Sequence, residues 1–347
     1  MRYLQAVSPR LVLTAVLLLT ACTPPVSIPT ASHEPSAPPV YRAHVRSAYT
    51  SESALELPLW MAHEAGLFAQ HGLEVTVERI AGGSSKAMQV LIAGELDILH
   101  GSGPAVVDAR LAGADVVAIA IAYPVLGINL YAVPDIVRLE DLRGRAVAIT
   151  RAGTLSDFGA RYALTRYGLR PEVDVGLVQT GGNTETIAAM QAGHVAAGVI
   201  ASPFDVPARK LGFHELLDLA SLGLEFPTTG LLVQRDYLVR HEEVLRSFLR
   251  AYVEAIARIQ QDKPFAKQVI SKYASTTDEE ALESSYAAFG QRYLTRAPYP
   301  TVAQFQTLIE FVAEREPRAR SLQPETLIDA RFVRALDEEG YIDRLYR

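Results

Sequence analysis

The sequence predicts an α/β protein built as two lobes, and three observations predict it. From residue 43 onward short apolar runs alternate with amphipathic stretches, which is how strands alternating with helices and largely parallel sheets read. A set of small residues recurs at one fixed offset, as two equivalent β-α-β units would require. The chain is 347 residues long and 49% hydrophobic, enough to fill two cores, and its single cysteine rules out an internal disulfide as a substitute.

In order, residues 43–48 read as a strand, 57–69 as a helix closed by Gly72, and 73–80 as a strand. A helix at 85–93, a strand at 96–99 and a helix at 105–111 follow, then strands at 116–121 and 128–133. The second half repeats the alternation: strand 145–149, helix 157–167, strand 175–179, helix 184–192 and strand 195–200. Beyond a strand at 231–233 the pattern turns helical, with helices at 241–260, 264–273, 278–289 and 302–313.

The repeat has an offset of 99: Gly82-Gly83 returns as Gly181-Gly182, Ala93-Gly94 as Ala192-Gly193, and Pro104 as Pro203, with Ser85 falling on Thr184. In each copy a Gly-Gly turn enters a helix beside a hydroxyl residue, the helix ends at Ala-Gly, and a short strand leads to a proline. Glycine permits the positive φ such turns need, and Ser or Thr suits a helix start.

The N-terminus reads differently. Arg2 and Arg10 precede an apolar run over 11–21 broken only by Thr14 and Thr20, a secretory signal too short to span a bilayer. Leu19-Thr20-Ala21-Cys22 resembles the bacterial lipobox, which implies cleavage after residue 21, a lipid on Cys22 and an extracytoplasmic, membrane-tethered protein. Residues 22–42, rich in Pro, Ser, Thr and Ala, suit an extended tether. Without Arg2 and Arg10 the formal charge of −6 becomes −8, and no basic block could follow a phosphate backbone, so no nucleic-acid partner is expected.

No phosphate-binding Gly-x-x-x-x-Gly-Lys motif, nucleophile elbow or His-Glu-x-x-His sequence is present, and the eight histidines are scattered. No metal, cofactor or catalytic group is expected. What stands out instead is small polar residues at strand ends and helix starts: Tyr49-Thr50-Ser51, Ser84-Ser85, Ser102, Tyr123, Thr154 with Ser156, Asn183-Thr184, Ser202 with Phe204, and Thr228-Thr229. Ligands of open α/β sheets bind outside the carboxyl ends of strands, where helix N-termini offer free N–H groups to an anionic or strongly polar molecule. Each residue alone reads equally as a turn or cap. Arg151, directly after a strand, is either a partner for a ligand anion or a solvated edge charge. Tyr123 and Phe204 either stack on a ligand ring or pack in a core, and Trp60 fits lobe packing better.

Pro58-Leu59-Trp60-Met61-Ala62, Ala65-Gly66-Leu67-Phe68 and Gly72-Leu73-Glu74-Val75 resemble the opening of periplasmic binding proteins of the nitrate/sulfonate/taurine type. That group also holds the thiamine-pyrimidine-precursor (NMT1/THI5-like) binders. The resemblance continues through Ala93-Gly94-Glu95-Leu96-Asp97-Ile98, Leu139-Glu140-Asp141-Leu142-Arg143-Gly144, Gly153-Thr154-Leu155-Ser156-Asp157-Phe158 and Ala192-Gly193-His194-Val195-Ala196-Ala197. It implies a two-lobed type II periplasmic-binding-protein fold with a ligand cleft between the lobes. The crossings are expected near 134–137 and 223–226, giving lobe I as 43–134 plus 226–347 and lobe II as 135–225.

The resemblance also implies a monomeric, lipid-anchored receptor that delivers a small solute to an ABC permease with a separate ATPase subunit. Sulfonates, nitrate, bicarbonate, aromatic acids and pyrimidines are the solute classes it leaves open. The enzymes on this fold that use a cysteine-rich iron motif or a cysteine nucleophile are poorly matched, because the sole cysteine is Cys22. Two alternatives stay open: an enzyme on the same fold acting on a small aromatic or pyrimidine substrate, with Asp157, Asp205 or His194 as its base or nucleophile, and a sensory protein reporting ligand occupancy to a signalling partner.

Overall fold

The computed structural model describes residues 43–347. The signal at 1–21, Cys22 and the tether at 22–42 lie outside the described residues.

Among the described residues there are ten strands: β1 (Ala43–Tyr49), β2 (Leu73–Arg79), β3 (Ile98–Gly101), β4 (Val116–Val125), β5 (Asn129–Ala132), β6 (Ala146–Ile149), β7 (Gly176–Gln179), β8 (Ala197–Ile200), β9 (His214–Asp218) and β10 (Glu225–Gln234). They form two five-stranded sheets, β2-β1-β3-β10-β4 and β7-β6-β8-β5-β9. Position by position the two orders match. Each has three parallel strands, then one antiparallel strand (β10 or β5) contributed by a segment that has just crossed from the other sheet. The offset of 99 read from the sequence is therefore architectural: β3 and β8 occupy equivalent places, and Gly82 and Gly181 adopt φ of 103° and 100°. Gly83 and Gly182 differ, at φ 78° and −166°.

The alternation of strands and helices holds, but several local expectations change. Strand β5 pairs with β8 and β9, so lobe II starts at residue 129 and the first crossing lies at 126–128, not at 134–137. Periodicity identifies a strand without saying which sheet receives it. Val125, the last residue of β4, and Glu225, the first of β10, lie opposite each other. The helix expected over 57–69 divides into Leu57–Glu64 and Leu67–Gln70 because Gly66 turns left-handed at φ 67°. Strand β9 and the helix Arg331–Glu338 are additional elements: β9 is short and polar at both ends, and pairs along one side only.

Lobe I carries the larger core. Helix Glu242–Gln261 buries Leu245, Phe248, Leu249, Tyr252, Ile256 and Ile259 along one stripe at helical spacing and leaves its acidic and basic residues on the other side. Trp60 is fully buried, stacked on Tyr273 at 4.7 Å, so it serves packing within lobe I. Among the described residues no helix is long and apolar enough to cross a membrane.

Candidate functional site

Between the two sheets lies a cavity of about 530 Å³. It sits at the carboxyl ends of the parallel strands in both lobes, where the polypeptide leaves β1, β2 and β3 on one side and β6, β7 and β8 on the other. Thr50, Ser51, Ser84, Ser102 and Thr229 line it from lobe I; Arg151, Thr154, Ser156, Asn183, Thr184 and Phe204 line it from lobe II.

Three helices start at its wall. Gly83–Ile92 begins in the Gly82-Gly83-Ser84 turn, Leu155–Arg166 after Thr154, and Asn183–Gln191 after Gly182. None has a side-chain cap on its first turn. Their leading amides and partial positive charge therefore face the cavity, which is the arrangement that holds an anion without a metal.

The hydroxyls are fixed by one another. In lobe II, Thr150 Oγ1, Thr154 Oγ1 and Ser156 Oγ form a triangle of 2.8 to 3.0 Å contacts, and Thr154 Oγ1 donates to the Arg151 carbonyl at 2.6 Å. In lobe I, Ser84 Oγ accepts from the Ser102 amide at 3.0 Å. Ser102 Oγ itself is buried and has no partner among the described residues, although the residue lines the cavity. A buried hydroxyl without a partner costs free energy, so this one has bonding capacity left over beside the cavity.

Beneath the lobe I wall is a polar network that sequence reasoning missed. Glu56, 2% exposed, accepts through Oε1 from the Thr50 amide and hydroxyl, each at 3.0 Å, and from the Ser51 amide at 3.1 Å. Its Oε2 meets Nδ1 of the fully buried His100, whose Nε2 lies 2.8 Å from the Tyr252 hydroxyl. Burial, with the Glu56 charge nearby, pushes the Tyr252 phenol well above its ordinary value. One carboxylate thus holds the loop after β1 and ties it to β3 and to the long helix. Only a Ser/Thr loop preceding Glu56 was visible in sequence; His100 lies 44 residues further on.

The mouth is charged. Arg79 pairs with Glu52, while Lys86 and Arg151 line the opening with no ion pair among the described residues. Arg151 is exposed, and its guanidinium crosses to the other lobe: a Cβ placed on Gly82 would lie 3.4 Å from Arg151 Nη2.

Five expected site residues lie elsewhere. Tyr49 is in the lobe I core, edge-on to Trp60 and Tyr273. Tyr123 is fully buried and donates to the Phe289 carbonyl at 3.1 Å. Thr228 donates to the Val125 carbonyl between the two crossing strands. Ser85 sits beside the cavity on the seam, donating to the Ala152 carbonyl at 3.4 Å, and Ser202 faces a second, smaller cavity. The three acid–base candidates are also away from the lining. Asp157 is sealed between Arg161 at 2.6 Å, Arg315 at 3.3 Å and the Gly153 amide at 2.9 Å; Asp205 lines the second cavity; His194 is exposed. Among the described residues no cluster could hold a metal ion.

Comparison with known proteins agrees with this architecture. YtlA of Bacillus subtilis (strain 168), whose name assigns it a binding role, is 25% identical over 260 residues, which is 72% of this chain and 76% of YtlA. The alkanesulfonate-binding protein SsuA from Xanthomonas axonopodis pv. citri, solved bound to MOPS, superposes with a TM-score of 0.71 at 16% identity. That match covers 84% of this chain and 99% of SsuA. The periplasmic nitrate-binding protein NrtA from Synechocystis PCC 6803 gives 0.72 at 15% identity, over 88% of this chain and 91% of NrtA. The fold is thus the two-lobed type II periplasmic-binding-protein fold. Residues 53–275, which include every cavity-lining residue except Thr50, Ser51 and Glu52, match the NMT1-like family, and the chain belongs to that family.

Proposed function

We propose that this chain is an extracytoplasmic solute receptor that captures a small organic anion in its cleft and presents it to an ABC permease driven by a separate ATPase subunit. The observation that carries this reading is the convergence of three uncapped helix N-termini and the unpartnered Ser102 Oγ on one cavity. An anionic head satisfies all of them at once. The remaining wall speaks for an organic body: Leu55, Ile128, Leu155, Val199 and Phe204 line a volume within the usual range for organic ligands, far larger than a bare nitrate needs. The names of SsuA and NrtA, one a sulfonate binder and the other a nitrate binder, support an anion. YtlA supports a binding rather than a catalytic role.

In this reading Cys22 carries the lipid, residues 22–42 form the tether, and the receptor works as a monomer without a cofactor. Native mass spectrometry of the full-length chain with alkanesulfonates, carboxylates, aromatic acids, nitrate, bicarbonate and pyrimidines tests it. Retention of one organic acid, recovered unchanged after release, is the expected result. Recovery of a chemically altered compound, or retention of a neutral one alone, contradicts it.

A further inference from the structure

Behind the main cavity is a second one of about 270 Å³, sharing only the wall of Ile128 and Ala201 with the first. It lies on the seam between lobe II, which supplies Tyr131, Asp205 and Glu215, and the C-terminal helical part of lobe I, which supplies Ser284, Phe289 and Tyr293. The lobe I wall is a π-helical stretch, Tyr286–Arg292, a departure from regular helix that is frequent at functional sites.

Asp205 is 5% exposed. Its Oδ2 accepts from Arg209 Nη1 at 2.9 Å and from Ser284 Oγ at 2.8 Å. Its Oδ1 is buried and has no hydrogen-bond partner among the described residues, so the carboxylate of a residue lining this cavity is left short of a donor. The nearby cations are already engaged. Arg209 also binds Glu280, Arg292 binds Asp218, and Lys210 binds Asp278. Glu215 has no cation among the described residues and receives only the Asn129 amide at 2.6 Å. The seam therefore has acceptors and negative charge to spare. Burial, with Asp205 beside it, pushes the Tyr131 phenol up to about 12. Tyr131 and Phe289 add aromatic surface, which attracts organic cations, while the Tyr293 ring already carries the Arg292 guanidinium at 4.9 Å.

We infer that this second cavity is a binding site for a small organic ammonium ion, which donates an N–H to Asp205 Oδ1 against the aromatic wall. A bare metal ion does not fit, because no group of three or more metal-binding side chains meets there. Since the two walls belong to different lobes, an occupied site favours the closed arrangement and couples to the main cavity through their shared wall.

Isothermal titration of the full-length chain with ethylammonium chloride at constant ionic strength tests the assignment, with tetramethylammonium as the comparison cation lacking an N–H. Saturable binding of ethylammonium is expected, at least tenfold tighter than tetramethylammonium, and at least tenfold weaker in Asp205→Asn. Ala287→Phe, at an exposed position on the cavity rim, gives the same loss without touching the Asp205 hydrogen bonds, so a folding defect in Asp205→Asn leaves the test intact. Non-saturating heats in the wild-type chain, equal affinity for the two cations, or unchanged affinity in Ala287→Phe would each overturn it.

Discussion

At the scale of single residues, the strongest constraint is the buried pair of Glu56 and His100. Both sit in the lobe I core with almost no solvent contact, and each satisfies the other while Glu56 holds Thr50 and Ser51 at the cavity. Removing the imidazole leaves Glu56 Oε2 and the Tyr252 hydroxyl without their buried bonds, for which about 1–3 kcal/mol is the usual loss. His100→Ala is accordingly predicted to lose that much in urea unfolding; a loss under about 1 kcal/mol would show that the pair holds nothing. Asp108 works in the opposite sense. Burial, reinforced by the Asp157 charge and opposed by Arg315, raises its carboxyl above the ordinary value. The folded chain thus binds that proton more tightly than the unfolded chain. Stability from it is fully present at low pH and fades as pH rises from the ordinary carboxylate range through the raised value. Asp108→Asn should therefore melt higher than wild type at pH 7 and equally at pH 3; a lower melting temperature at pH 7 contradicts the assignment. Neither residue was legible in the sequence, because each acquires its meaning from partners that only the fold brings near.

At the scale of elements, legibility was better and its limits are physical. Strand and helix periodicities are local, so β1 to β8 and the long C-terminal helices could be read directly. The helix-start residues Ser84, Thr154, Ser156, Asn183 and Thr184 reach the cavity because helix starts follow parallel strands, a rule that needs no coordinates. Sheet membership is not local, and that is why β5 was assigned to the wrong lobe. Tyr49, Tyr123 and Thr228 lie off the cavity lining for a related reason: they are on strands, and a strand residue faces cleft or core according to a register the sequence does not state. The β4–β10 pair makes the point sharply. A Cβ on Gly230 would sit 1.9 Å from the Ala120 carbonyl oxygen, so the two strands meet closer than any side chain allows. Gly230→Ala is predicted to destabilise the chain by about 1–3 kcal/mol through overpacking. An unchanged denaturation midpoint would mean that these strands separate at little cost.

At the scale of the whole molecule, the lobes meet over the cavity through a small set of contacts. The Ala54 amide donates to the Ser202 carbonyl at 3.0 Å, Arg315 reaches Asp157, and Gly83 lies against Thr154, where an added Cβ would be 2.7 Å from Thr154 Cγ2. Gly83 also holds φ 78°, which other residues adopt at a cost. Gly83→Val should leave each lobe folded yet hold the seam open, seen as a larger radius of gyration by small-angle scattering; identical scattering curves would place closure elsewhere. The central claim is that the cleft recognises negative charge through helix amides. It is tested most directly by thermal unfolding of the full-length chain with organic acids, each paired with a neutral compound of the same shape, a sulfonate with its sulfone and a carboxylate with its amide. At about one hundred times its dissociation constant a true ligand adds roughly 2.7 kcal/mol, a shift of a few degrees for a chain this size. That shift is expected for at least one acid and not for its neutral partner. An equal shift from the neutral partner would contradict it, as would a panel in which only neutral compounds stabilise the fold.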